Sequence, residues 1–209
     1  MATKVTFNPA RTAILAMDCQ GFLVSFYVQK GQEQFLNRAT SVLAAARRAG
    51  IPVIHVQMGF RQGLPEVNDR NKLLAALKSN PQYQEILRSP AGAIHPALGP
   101  EKEDMVVSKH RVSAFAGTDL EMLLRARKIE TLVLFGLITS GVVLATLVDA
   151  FDLDYEIVVI SDCCGDKDPE LHDALLNQLF PARGDVATAA EFIEACESLK
   201  FKTEQVGEA

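Results

Sequence analysis

The stretch TLVLFGLITSGVVLATLV, Thr131 to Val148, decides the fold. It carries no charge over 18 residues, the lower limit for a membrane-spanning helix. Gly136, Thr139, Ser140 and Gly141 sit in its middle. Those are turn and cap residues, so the stretch divides into a buried strand, Thr131–Phe135, and a buried helix after it. Outward from it the same alternation repeats. Thr12–Met17, Pro52–Gln57, Met105–Ser108 and Glu156–Ile160 read as strands, with a short sixth at Asp185–Ala187. Most are continuous apolar runs, as expected where helices cover both faces of a parallel sheet. Strand and helix in turn predict an α/β fold with right-handed crossovers.

The helices carry their own punctuation. Phe35, Ala39, Val42, Leu43 and Ala46 share a helical face that Gly50 and Pro52 end. Thr118 with Glu121, and Thr188 with Glu191, read as capping boxes. The first precedes Leu120, Leu123 and Leu124; the second precedes Phe192, Ile193, Cys196 and Leu199. Asp168-Pro169 opens a helix with Leu171, Leu175 and Leu179 on one face, and Pro181 stops it. The proline-rich segment 58–103 is irregular, with short helices expected near Asn71–Lys78 and Gln82–Leu87. A connection this long reads as lid-like and pocket-shaping. The whole chain is expected to be one domain with a core from about 10 to 195, and the tail Lys202–Ala209 to be frayed.

Composition narrows the function classes. The net charge is -5 and no basic block occurs, which speaks against nucleic acid or an anionic membrane as partner. Cys19, Cys163, Cys164 and Cys196 show no zinc or disulfide spacing, so a reducing, cytoplasmic setting is expected. Met1 to Pro9 has no apolar run of a secretory signal. G-x-G-x-x-G and Walker A sequences are absent, so no nucleotide cofactor is expected.

In parallel sheets ligands sit beyond the carboxyl ends of the strands. Asp18 closes the first strand and Lys109 closes the third. A charge at the end of a buried element must pair or serve a ligand, so the two are candidates for one site.

Three motifs then carry a resemblance: Asp18 at the end of TAILAMD; Lys109 to Phe115 followed by Gly117-Thr118-Asp119-Leu120; and Gly136 to Val143 followed by Thr146 and Asp149-Ala150. Together they resemble the isochorismatase-like (cysteine hydrolase) superfamily over residues 10 to 195. The resemblance implies a doubly wound three-layer α/β/α fold whose six-stranded parallel sheet has the order 3-2-1-4-5-6. It implies hydrolysis of small amides or of the vinyl ether of isochorismate, homo-oligomers, and a cis bond at Leu137-Ile138. In the amidases an Asp acts as general base on a Cys thiol and a Lys steadies the charges. Asp18 and Lys109 match the first two. The Cys belongs six residues after Gly136, and Val142 stands there. That removes the thiol nucleophile and leaves a small-molecule hydrolase acting on an ether or C–N bond without a covalent thiol intermediate, with vinyl-ether hydrolysis as one such reaction. The alternatives are an inactive binding or scaffold homologue, or an amidase with its nucleophile relocated to Ser140, Cys163 or Cys164. Cys19 follows Asp18 and should point to the opposite side.

The expected substrate is small and carboxylate-bearing. Phe22, Phe60 and Phe115 are candidates to line its pocket, Arg61 and Arg111 to hold its carboxylate, and Ile138 and Ser140 to contact it from the turn after the fourth strand. The family's nicotinamidases bind a metal through an Asp-x-His arrangement. His55, His95, His110 and His172 show no matching spacing, so no site metal is expected.

Overall fold

The computed structural model describes residues 5–206, with the side chains of residues 5–198. Six strands form one parallel sheet: β1 (Thr12–Met17), β2 (Val53–Met58), β3 (Met105–Lys109), β4 (Thr131–Leu137), β5 (Glu156–Gly165) and β6 (Asp185–Ala187), in the order β3-β2-β1-β4-β5-β6. Helices cover both faces. β1 and the first four residues of β2 are wholly buried, and so is β4. This is why those strands read as unbroken apolar runs: they have no solvent face.

Among the described residues eight α-helices flank the strands: α1 (Gly21–Tyr27), α2 (Gln32–Arg48), α3 (Lys72–Lys78), α4 (Pro81–Arg88), α5 (Leu120–Ala126), α6 (Leu144–Asp152), α7 (Pro169–Ala174) and α8 (Ala189–Val206), the last of them after β6. α2 and α8 pack on each other and on β5. The punctuation explains most of their ends. Gly50 takes φ +73 just past the end of α2. Asp168 accepts from the Leu171 backbone N–H at 3.0 Å, capping α7. Thr188 and Glu191 close their box with bonds of 2.8 and 3.3 Å.

Several expectations need correction. Thr118 and Glu121 form no capping box. Thr118 donates to the Ala114 carbonyl and accepts from the Leu120 N–H, so α5 starts a residue later and Glu121 pairs instead with Arg125. Leu171 is exposed, so the α7 face is narrower than its spacing suggests. β2 starts one residue late, and β5 runs on to Gly165, which puts Asp162, Cys163 and Cys164 inside a strand. The expected fraying of Lys202–Ala209 meets a helix that continues to Val206; residues 207–209 and the Leu199 side chain lie outside the described residues.

The uncharged stretch divides as its turn residues demand. β4 ends at Leu137, the Leu137-Ile138 peptide is cis, a wide turn spans Thr139–Val143, and α6 follows. Among the described residues no helix is long and apolar enough to cross a membrane.

The chain order reverses between β1 and β4, so the crevice for a ligand opens there. Gly136 makes the close approach possible. It lies opposite Met17, takes φ +148, and a Cβ on it would run into the Met17 carbonyl. Gly136→Ala is therefore expected to lower stability by ~3 kcal/mol or to prevent folding. Gly50→Ala, which has φ +73 but open space around it, is expected to cost only ~1 kcal/mol. Urea denaturation of the two variants checks the contrast.

Candidate active site

Asp18 is the first residue beyond β1, and its N–H bonds the Val56 carbonyl at 2.7 Å. It takes φ +52, a left-handed conformation that Asp tolerates better than most side chains. Lys109 ends β3, two strands away or roughly 10 Å across the sheet. Only a side chain as long as lysine spans that gap. Its Nζ donates to Asp18 Oδ2 at 2.8 Å and to the Arg111 carbonyl at 3.2 Å. Both side chains are almost fully buried, at 2% and 4% exposure, so water does not screen the pair.

The other oxygen, Asp18 Oδ1, has no hydrogen-bond partner. Burial raises the Asp18 pKa above the ordinary carboxylate value, and the neighbouring ammonium offsets only part of that rise. The site thus holds a carboxyl group with one tethered oxygen, one free oxygen and an enhanced tendency to carry a proton.

A cavity of about 450 Å³ lies against the pair. Asp18 and Lys109 line it with Phe22, Ile138, Gly141 and Val142. Val142 is buried at 2% exposure, and its isopropyl group forms part of the wall. The far wall comes from segment 58–103: Leu73, Leu74 and Leu77 of α3, then Asn80, Gln82, Tyr83 and Ile86 on and before α4. Tyr83 sits edge-on to Phe22 with ring centroids 5.8 Å apart, and its hydroxyl donates to Met58 Sδ at 3.1 Å. Burial, then the negative charge of Asp18, pushes the Tyr83 phenol pKa up, so it stays a neutral donor.

The segment is tied down rather than loose. Gln20 is fully buried; its amide nitrogen donates to the carbonyls of Met58 (3.1 Å) and Gly92 (2.5 Å), and its oxygen accepts from the Met58 N–H (2.9 Å). Gly21 and His95 add backbone bonds to Ala93 and Cys19. One glutamine after β1 therefore fixes the end of β2 and the far wall together.

Several candidates fall elsewhere. Phe60 and Arg61 line a neighbouring depression of about 340 Å³. Phe60 packs on the small Leu64–Val67–Leu74 cluster, and Arg61 is largely exposed in an ion pair with Glu66. Phe115 packs against Tyr155, 6.1 Å between centroids, and does not border the cavity. Ser140 turns away too: its N–H and hydroxyl both bond Asp166 Oδ2 at 2.7 Å. These four follow the right strands but point to other neighbours, which spacing cannot reveal. The pocket-shaping part expected of segment 58–103 falls to α3 and α4, whereas Gln20 and Tyr83 carry no sequence motif that singles them out. The signal of the wall was only that apolar residues cluster in an otherwise irregular connection.

The four native cysteines are buried and reduced. Burial raises the pKa of each thiol, to about 12 for Cys164 and Cys196. None of them lines the cavity. His55 is also buried, its Nε2 3.2 Å from Asp104 at the amino end of β3, and burial lowers its pKa. Among the described residues no three His, Cys, Asp or Glu side chains converge as a metal-binding group.

Comparison with known proteins places this geometry. The Isochorismatase domain model matches residues 12–191. A ureidoacrylate amidohydrolase of Enterobacter sp. (strain 638) is 34% identical over 212 residues, covering 91% of each chain. An isochorismatase family protein of Burkholderia thailandensis superposes with a TM-score of 0.79 at 31% identity, over 93% of this chain and all of that one. A cysteine hydrolase of Pseudomonas syringae pv. phaseolicola superposes at 0.80 with 26% identity, over 95% and 98% of the chains.

Three outcomes follow from the geometry. Val142→Cys places a thiol on the cavity wall, and it is expected to react with iodoacetamide at least tenfold faster than any native cysteine; peptide mass mapping reads this. Removing one partner of the buried pair, by Asp18→Asn or Lys109→Met, leaves the other uncompensated and is expected to cost about 3–5 kcal/mol, whereas the double variant recovers most of it. Gln20→Leu leaves buried backbone groups of Met58 and Gly92 unpaired, and a loss of ~2 kcal/mol or more by urea unfolding is expected.

Proposed function

The chain belongs to the isochorismatase family, and from that premise we propose that it hydrolyses a small molecule by direct attack of water, with Asp18 as the proton carrier. The chain is a hydrolase of this family, and the Enterobacter relative is named a ureidoacrylate amidohydrolase. The observation that carries the proposal is Val142. It occupies the wall beside the Asp18–Lys109 pair, where it can form no acyl bond. The only thiols of the chain are buried away from that wall. A covalent intermediate therefore has no candidate sulfur in the cavity.

The raised pKa of Asp18 favours the acid role. Vinyl-ether hydrolysis needs a proton donor and a water and nothing else. Asp18 protonates the terminal carbon of the double bond, and the positive charge moves to the carbon bonded to oxygen. Water adds there, its surplus proton returns to the Asp18 carboxylate, and the hemiketal parts into a ketone and an alcohol. Lys109 holds the carboxyl in place and stabilises its ionised form after the transfer. A favourable acid has its pKa near the working pH, and burial moves Asp18 in that direction. The names of the relatives favour a second bond, the amide C–N bond. There Asp18 would act in its ionised form, taking the proton of the attacking water.

The two chemistries have opposite pH signs. An acid is competent below its pKa, so vinyl-ether turnover is expected to fall as pH rises through the Asp18 value, which burial lifts above the ordinary carboxylate range. A base is competent above it, and amide turnover would fall on the acid side instead. A panel of vinyl ethers and small amides, assayed for kcat/KM against pH, separates them. Asp18→Asn is expected to lower turnover of the accepted substrate by roughly 10²–10⁴-fold, and mass spectrometry of the enzyme during turnover is expected to show no acyl adduct. Retained activity in Asp18→Asn, or an adduct on Ser140, Cys163 or Cys164, overturns the reading.

A further inference from the structure

The cavity that holds the buried pair is lined mainly by hydrocarbon. Phe22, Phe26, Leu73, Leu77 and Ile86 are among the apolar side chains of its wall. Three of these reach the surface: Leu73 is 58% exposed, Ile86 37%, and Phe26 50% with the Lys167 ammonium 3.1 Å from its ring centroid. Apolar side chains gathered around one opening mark a surface that something covers. The volume of about 450 Å³ fits a small molecule and falls within the usual range of 300–1,000 Å³.

The charges of the cavity are arranged unevenly. Asp18 and Lys109 neutralise each other at 2.8 Å. Arg111 is the remaining charged group on the lining. Its guanidinium donates to two backbone carbonyls, His110 at 2.6 Å and Glu66 at 3.0 Å. Those bonds hold it in place without cancelling its charge. The carboxylate of Glu66, whose backbone carbonyl Arg111 bonds, is engaged by Arg61 at 2.5 Å. Among the described residues Arg111 takes part in no ion pair. A held, unneutralised guanidinium beside an apolar chamber is complementary to a single anionic group on an apolar body.

We infer that the site selects a substrate with an extended or aromatic apolar body and one carboxylate, the body lying against α3 and α4 and the carboxylate on Arg111. The inference deepens the hydrolase reading and rests on it for the position of the bond cleaved, but the binding it describes is measured without turnover. Compact, strongly polar substrates leave the α3–α4 wall wet, and dicarboxylates bring a second charge into a mainly apolar chamber.

Calorimetric titration of the purified protein with phenylacetate, 3-phenylpropanoate, 4-phenylbutanoate and 5-phenylpentanoate tests it. The affinity is expected to rise about fourfold per added methylene until the chamber is full. Arg111→Gln is expected to weaken these acids at least tenfold, and Arg111→Lys to recover part of the loss. The same variant should change the affinity of the matching ω-phenyl alcohols less than twofold. Leu73→Gln with Ile86→Gln, both at exposed positions, is expected to flatten the chain-length dependence. Affinity independent of chain length, stronger binding of glutarate or adipate, or equal losses for acids and alcohols in Arg111→Gln each overturn the inference. Binding as described without hydrolysis of any vinyl ether or amide carrying such a body defeats the hydrolase reading alone. Hydrolysis confined to compact polar substrates defeats the selectivity alone.

Discussion

Everything at the crevice depends on one buried ion pair. Asp18 and Lys109 meet at 2.8 Å with almost no water around them. Taking either charge out of water alone is costly, so each requires the other. That requirement fixes a relation between β1 and β3, which are not neighbours in the sheet. It also leaves Asp18 Oδ1 buried and without a hydrogen-bond partner.

The surrounding contacts keep this pair from drifting. The loop after β3 is pinned to α6: Ser113 donates to Asp149 at 2.5 Å, and Ala114 donates its N–H to the Thr146 hydroxyl at 3.0 Å. These bonds explain why Lys109–Phe115 and the Thr146/Asp149 pair occur together as motifs. They are two halves of one hydrogen-bonded joint. On the other side Asp166 and His172 hold Ser140 and Thr139, at 2.7 and 2.9 Å. The turn that carries Val142 is thus fixed from β5 and α7. Gln20 does the same for the far wall. Each anchor is polar, buried or half-buried, and remote in sequence from what it holds.

Val142 then sets the chemical character of the chamber. A thiol at that place would add an ionisable group and a covalent route. An isopropyl group adds only apolar surface, continuous with Phe22 and the leucines of α3.

How much of this was legible before folding follows from the range of each interaction. The strands, their parallel arrangement and most helix ends came from local rules: continuous apolar runs, Gly50 after α2, the bonds of Thr188 with Glu191. That Asp18 and Lys109 need a partner was also legible, because a charge closing a buried strand must be paired, whereas Val142 drew notice only through the family resemblance. Direction was not. Ser140, Phe60, Arg61 and Phe115 follow the right strands, yet Asp166, Glu66 and Tyr155 draw three of them elsewhere, and Phe60 joins a separate cluster. The wall from α3 and α4, and the clamp at Gln20, depend on contacts between residues tens of positions apart. Sequence determined which groups must be buried or paired, since that is a property of each side chain against water. Only the tertiary structure decided which partner each one met, because that depends on distances that no local pattern encodes.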